Sequence, residues 1–62
     1  MATETPEGYV RKIRNPYKRA HAAAVLAALR AGQEPPSAPV ELSVMAAQAV
    51  QMRLAGMVRR EN

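Results

Sequence analysis

The stretch NPYKRAHAAAVLAALRAG, residues 15–32, has the ends and the interior of an α-helix. Asn15 is a preferred N-cap residue, and Pro16 suits the first helical position because its missing N–H would have no partner there. The interior is rich in Ala, which has the highest intrinsic helix propensity. Gly32 ends the pattern, because Gly readily adopts the left-handed conformation just after a helix. We therefore predict a first helix over residues 16–31.

A proline-rich linker and a second helix follow. Residues 32–39 carry three prolines within five positions, which exclude a helix and favour an extended backbone. We predict a second helix over residues 40–59, which begins either near Pro39 or at Ser43 as N-cap, with Val44 next. Arginines near its end suit the negative pole of a helix.

The residues before the first helix predict an arm. Residues 1–8 are polar and contain Pro6 and Gly8, which indicates a flexible lead. Residues 9–14 contain strand-forming side chains in imperfect alternation, which indicates an edge strand or an extended arm. We therefore expect residues 1–15 to be flexible or extended. The predicted fold is all-α: one small domain, built as a two-helix antiparallel hairpin with an extended basic N-terminal arm.

Each predicted helix carries two apolar stripes at helical spacing, whereas a two-helix hairpin can bury only one stripe per helix. The stripes expected in the core are Ala22, Val25, Leu26 and Leu29 on the first helix, and Ala47, Val50, Leu54, Met57 and Val58 on the second. The second stripe of helix 2 follows i, i+4, i+7, i+11 and consists of Met45, Ala49, Met52 and Gly56.

The second stripes predict a protein partner, because large exposed apolar patches mark interfaces and Met adapts to irregular surfaces. A chain of 62 residues without Cys also lacks the disulfides that support many small folds. The partner is a larger protein assembly or a second copy. The candidate interface residues are Tyr17, Ala20, Ala24, Ala27, Met45, Ala49 and Met52. The alternative is a weak monomeric hairpin whose Ala side faces water.

The net charge of +4 comes from one cluster, with five cations within residues 11–19. Such a cluster favours an anionic surface, either nucleic acid or an acidic protein. The alternative is a solvated basic segment that keeps an Ala-rich chain in solution. The candidate residues for an anionic surface are Arg11, Lys12, Arg14, Lys18 and Arg19.

The sequence offers little for catalysis or metal binding. It has one His, no Cys and no phosphate-binding Gly-rich loop, so we expect no enzyme activity, no metal site, no cofactor and no small-molecule substrate. We expect His21 to be a surface or interface residue. No apolar run approaches the roughly 18–20 residues that span a bilayer. We expect a soluble protein that is cytoplasmic or lies within a viral or nucleoprotein particle.

The order of elements also resembles that of the ribbon-helix-helix family of DNA-binding proteins. A strand candidate at residues 9–14 precedes a helix that Pro initiates, and a second helix opens at Ser43. The resemblance covers residues 9–58 in outline. It implies a dimeric regulator whose paired strands enter the DNA major groove, where Lys12 and Arg14 would read bases.

These observations favour a non-enzymatic interaction subunit. It would dock through its apolar helix faces on a larger assembly or a second copy, and its basic arm would lie on an anionic surface. An accessory component of a nucleoprotein or viral particle is one example. The ribbon-helix-helix DNA-binding regulator is the alternative.

Overall fold

Three α-helices make up the computed structural model, which describes residues 4–61. They are α1 (Pro6–Lys12), α2 (Pro16–Arg30) and α3 (Val44–Glu61). The described residues contain no strand, so the all-α class is confirmed, but with three helices instead of two. The expected flexibility of residues 1–3 lies outside the described residues.

The first correction concerns the N-terminal arm, because residues 6–12 form α1. The Oγ1 atom of Thr5 accepts a hydrogen bond from the Gly8 N–H at 3.0 Å, and Pro6 occupies the first turn. Glu7 in the first turn and Lys12 in the last turn match the poles of the helix dipole. These are the signals of a helix start, so Pro6 initiates a helix here and does not break one.

The apolar residues of α1 explain why the segment is helical and not extended. Tyr9, Val10 and Ile13 are spaced i, i+1 and i+4, which places them on one side of a helix. All three are half-buried and pack against the hydrophobic core. A strand would have placed Arg11 on the same side as Tyr9 and Ile13, where its charge would meet that core.

The strand that supports the ribbon-helix-helix resemblance is therefore absent from residues 4–61. Residues 9–12 belong to α1, and Ile13 and Arg14 form its connection to α2. No ribbon is available here to enter a DNA groove, so the base-reading role implied for Lys12 and Arg14 loses its structural basis. The described helices also include none that is both long enough and apolar enough to cross a membrane.

Both ends of α2 and the start of α3 lie at residues that the sequence identifies, whereas α3 continues to Glu61, past the predicted end at residue 59. The side chain of Asn15 accepts hydrogen bonds from the N–H groups of Tyr17 and Lys18, which confirms it as the N-cap of α2. Gly32 follows α2 with a φ of 70°, which confirms it as the left-handed stop. Ser43 accepts from the N–H of Ala46 at 3.1 Å, so α3 begins with the second of the two predicted caps.

The core lies between α2 and α3 and is closed on one side by α1. Its buried members are Ala22, Val25 and Leu26 from α2, with Val50 and Leu54 from α3. Ala47 is also buried, and Leu29, Met57 and Val58 pack around the cluster. The two stripes predicted to form the core are thus the ones that the fold buries.

The second correction concerns the direction of the two long helices. Arg30 at the end of α2 donates to Glu61 at the end of α3 over 3.0 Å, so the two C-terminal ends lie together. Residues 36–41 of the linker line a cleft with Tyr17 and Ala20, near the start of α2. The linker therefore returns along α2, and α3 runs in the same general direction as α2, not antiparallel to it.

The length and the prolines of the linker account for this path. Residues 31–43 can extend over roughly 40 Å, whereas the 15 residues of α2 rise only about 22 Å. Pro35, Pro36 and Pro39 favour extended backbone, so the linker does not fold into a tight hairpin turn. α1 occupies the antiparallel position instead, since Glu7 near its start hydrogen-bonds Arg30 at the end of α2.

Candidate functional site

One continuous apolar surface is exposed on α3. We call it the α3 face, and its members are Met45, Ala49, Met52 and Gly56. Met45 is 82% exposed and Met52 is 75% exposed, Ala49 is exposed, and Gly56 is half-buried. The face lies on the opposite side of the helix from Val50 and Leu54, both of which are fully buried.

Two further apolar residues extend the exposed surface beyond the residues predicted from the sequence. Val40 is 94% exposed at the end of the linker, and Val44 is 62% exposed at the first position of α3. Neither lies on the i, i+4, i+7, i+11 stripe, so the periodicity of the helix does not single them out. They add exposed apolar area near the start of α3.

The candidate interface residues of α2 do not join this surface. Tyr17, Ala20 and Ala24 line a cleft with linker residues 36–41, whereas Ala27 lines a groove between α1 and α2. All four are exposed, and Tyr17 is 53% exposed. They lie on the side of α2 that faces away from α3, so the linker and α1 divide the Ala side into two shallow surfaces.

The predicted basic residues come together at the corner between α1 and α2. We call this the basic corner; its members are Arg11, Lys12, Arg14, Lys18 and Arg19. Lys18 is half-buried and the other four are exposed. Two of them have partners within the fold. The Lys12 ammonium contacts the Glu4 carboxylate at 2.9 Å, and the Arg19 guanidinium donates to the Ile13 carbonyl at 3.3 Å.

A second charged cluster holds the three helices together at the other end. The Arg30 guanidinium in α2 hydrogen-bonds Glu7 of α1 with one nitrogen and Glu61 of α3 with the other. The hydrogen bond from Arg30 lowers the pKa of Glu7, and a backbone hydrogen bond acts in the same direction. The same contact with Glu7 raises the pKa of Arg30. This cluster is therefore structural, and its Arg is not part of the basic corner.

A cation–π contact joins α1 to α3 as well. The Arg53 guanidinium lies over the Tyr9 ring, 5.7 Å from its centroid. Such contacts stabilise by about 0.5–1 kcal/mol at exposed sites. Neither this contact nor the Arg30 cluster has a signal in the local sequence, because the partners lie on different helices. Sequence reasoning therefore missed both.

His21 is 6% exposed, so it is buried and not a surface residue. The cleft of about 330 Å³ between α2 and the linker is lined by His21 together with Ser37 and Glu41. No hydrogen bond joins these three side chains within the described part of the chain, so they do not form a nucleophile–base–acid arrangement. Residues 4–61 also contain no group of three side chains suited to hold a metal ion.

Comparison of this chain with known protein families, with curated proteins and with solved structures gives no match. The functional argument therefore depends on the α3 face and the basic corner alone.

Proposed function

We propose that this chain is a non-enzymatic interaction subunit. Its α3 face binds a protein surface, and its basic corner lies against an anionic surface such as nucleic acid or an acidic protein. The observation that carries the proposal is the exposure of Met45 and Met52, at 82% and 75%, on the side of α3 opposite the fully buried Val50 and Leu54. Met side chains adapt to irregular protein partners, and exposed apolar patches mark interfaces.

The basic corner supports the second half of the proposal. Arg11, Arg14 and Lys18 are contributed by the end of α1, the turn and the start of α2, so the fold concentrates them at one corner. The N-terminal end of α2 lies there too, and the positive pole of its dipole adds to the attraction for anions. Glu4 offsets part of the cluster through its contact with Lys12, and Glu7 lines a groove together with Arg11. A component of a nucleoprotein or viral particle would use both surfaces at once.

A site-specific photo-cross-linker tests the docking half of the proposal. The full chain, made in its own organism, carries the cross-linker at Met52 or at Gln51, an exposed neighbour outside the α3 face. We expect a discrete protein adduct from position 52 only, either of dimer size or larger, and we expect Met45→Glu to remove it. Equal cross-linking from positions 51 and 52, or a purely monomeric product from 52, would overturn the proposal.

A further inference from the structure

We propose that two copies of this chain pair through their α3 faces, with the two α3 helices antiparallel about a two-fold axis. The inference rests on the proposed function, because it names a second copy as the occupant of the same face. The spacing of Met45, Ala49, Met52 and Gly56 alternates four, three and four residues, as it does along the contact line of a two-helix coiled coil.

The sizes of these residues favour an antiparallel partner. Centred between Ala49 and Met52, an antiparallel pair places each Met45 opposite Gly56 of the second copy and each Met52 opposite Ala49 of the second copy. Every large side chain then faces a small one. A parallel pair would place Met45 against Met45 and Gly56 against Gly56, with crowding in one layer and a void in another.

Gly56 provides the space that this packing needs. A Cβ at Gly56 meets no heavy atom within 4 Å, so the absence of a side chain leaves an open notch on the surface of α3. Nothing within the described fold requires glycine there, since the residue is helical and glycine costs about 1 kcal/mol relative to Ala in a helix interior. Met45 of a second copy fits such a notch by shape.

The charges favour the same orientation. The basic corner lies at the end of the molecule where α3 begins, because α2 and α3 run in the same direction, whereas Arg59 and Arg60 share the other end with Glu61. An antiparallel pair keeps the two basic corners at opposite ends, and it also aligns the helix dipoles favourably. A parallel pair would bring four arginines together.

The length of the α3 face limits the expected affinity of the dimer. From Met45 to Gly56 the helix rises about 16 Å. A single contact line of this length buries less surface than the roughly 800 Å² per partner of a standard interface. We therefore expect a weak dimer with a dissociation constant on the order of 10–100 μM. Such a dimer forms at high local concentration, as within a particle, and separates on dilution.

Sedimentation equilibrium of the purified full chain, from roughly 1 μM to 1 mM so as to bracket that constant, tests the pairing. We expect the mean mass to rise toward that of a dimer. Gly56→Leu fills the notch and removes a helical glycine, so it should keep the fold yet weaken pairing at least about tenfold. Gln51→Leu, the matched control outside the face, should pair like the unmodified chain. A monomer throughout, or unchanged pairing by Gly56→Leu, overturns the proposal.

Cross-linking with a short bis-maleimide tests the orientation, because the chain has no Cys of its own. Chains carrying Met45→Cys and chains carrying Gly56→Cys are mixed, with one kind enlarged by a tag. We expect the mixed product to dominate, since like positions lie about 16 Å apart in the antiparallel pair. Dominant products between like chains refute the orientation. If the purified chain stays monomeric while Met52 still cross-links to a larger protein, this inference fails and the proposed function stands.

Discussion

Alanine at two of the glycines is expected to change the free energy of unfolding in opposite directions, although the chemical change is the same. Gly56 lies inside α3, and a Cβ there meets no heavy atom within 4 Å. Ala loses less conformational freedom than Gly when it becomes helical. We therefore expect Gly56→Ala to raise the free energy of unfolding by about 0.5–1 kcal/mol.

Alanine at Gly32 is expected to change the free energy of unfolding in the opposite direction, because the backbone conformation of Gly32 differs from that of Gly56. Its φ of 70° is in the left-handed region, which costs an L-residue roughly 1–2 kcal/mol. A Cβ at Gly32 also meets no heavy atom within 4 Å, so the backbone alone decides the outcome. The loss of freedom in the unfolded chain offsets about 0.4–1 kcal/mol of this cost. We expect Gly32→Ala to lower the free energy of unfolding by about 1 kcal/mol.

Urea denaturation followed by far-ultraviolet circular dichroism measures both variants. The chain must be dilute enough to be monomeric, because dimerisation adds stability that depends on concentration. The two variants should differ by about 1.5–2 kcal/mol, which corresponds to roughly 6–15 °C in Tm for a domain of this size. If both substitutions change stability in the same direction, then either α3 is not helical at Gly56 or Gly32 is not the left-handed end of α2.

Three further predictions concern the core, the ion pairs and the basic corner. Leu54→Ala should lower the free energy of unfolding by about 2–5 kcal/mol in urea titrations, because Leu54 is fully buried between the helices. Because Arg30 lowers the pKa of Glu7, this pair stabilises the folded chain at pH values above 4.5, the ordinary pKa of a glutamate, and the stabilisation is lost as the pH falls through the lowered pKa. On acidification, the urea midpoint of Glu7→Gln should therefore fall less than that of the unmodified chain. Arg11→Ala with Lys12→Ala should weaken binding to random duplex DNA in gel shifts and reduce the slope of log affinity against log salt by roughly 1–2.

Each of these three predictions is compared with a matched control variant. Met52→Ala removes an apolar side chain that is 75% exposed, so its stability change should stay within about 0.5 kcal/mol; an effect as large as that of Leu54→Ala would contradict the packing. Glu34→Gln, in the linker, should leave the acid response unchanged. Arg59→Ala with Arg60→Ala removes the same charge from the far end of α3, and equal weakening by both pairs would show that net charge alone binds DNA.

The ends of α2 and the stripes of the core could be predicted because their signals are local. Asn15 as N-cap, Gly32 as stop and Ser43 as the cap of α3 each depend on residues within one turn. The buried stripes follow from helical periodicity, since a continuous run of helix presents one side to its neighbours. The exposure of Met45 and Met52 follows from the same geometry.

α1 could not be predicted with the same ease, because a helix of seven residues is unstable by itself. Its cap at Thr5 and the spacing of Tyr9, Val10 and Ile13 are visible in the sequence. However, the helix depends on contacts with α2 and α3, and those contacts are not local. The direction of α3 was missed for a related reason, because it depends on the path of the linker. The prolines indicate that the linker is extended, but they do not determine its direction.

The burial of His21 and the division of the Ala side of α2 have the same origin. Both result from the linker, which returns along α2 and packs residues 36–41 near Tyr17 and Ala20. A hairpin would have left this side of α2 in water. The linker flanks this side of α2 but leaves Tyr17, Ala20 and Ala24 exposed, and Met45, Ala49 and Met52 of the α3 face are exposed as well.

The distribution of charge within the fold affects how a second copy can approach the α3 face. Three of the five carboxylates form ion pairs within residues 4–61: Glu4 contacts Lys12, and Glu7 and Glu61 share Arg30. The other two carboxylates lie in the linker, whereas Arg59 and Arg60 close α3. The basic corner lies at the end of the molecule where α3 begins, whereas Arg59 and Arg60 share the other end with Glu7 and Glu61. We therefore expect two such molecules to repel each other more when the helices are parallel, which brings the two basic corners to the same end, than when they are antiparallel. The arrangement that stabilises the three helices thus also favours one orientation of a second copy.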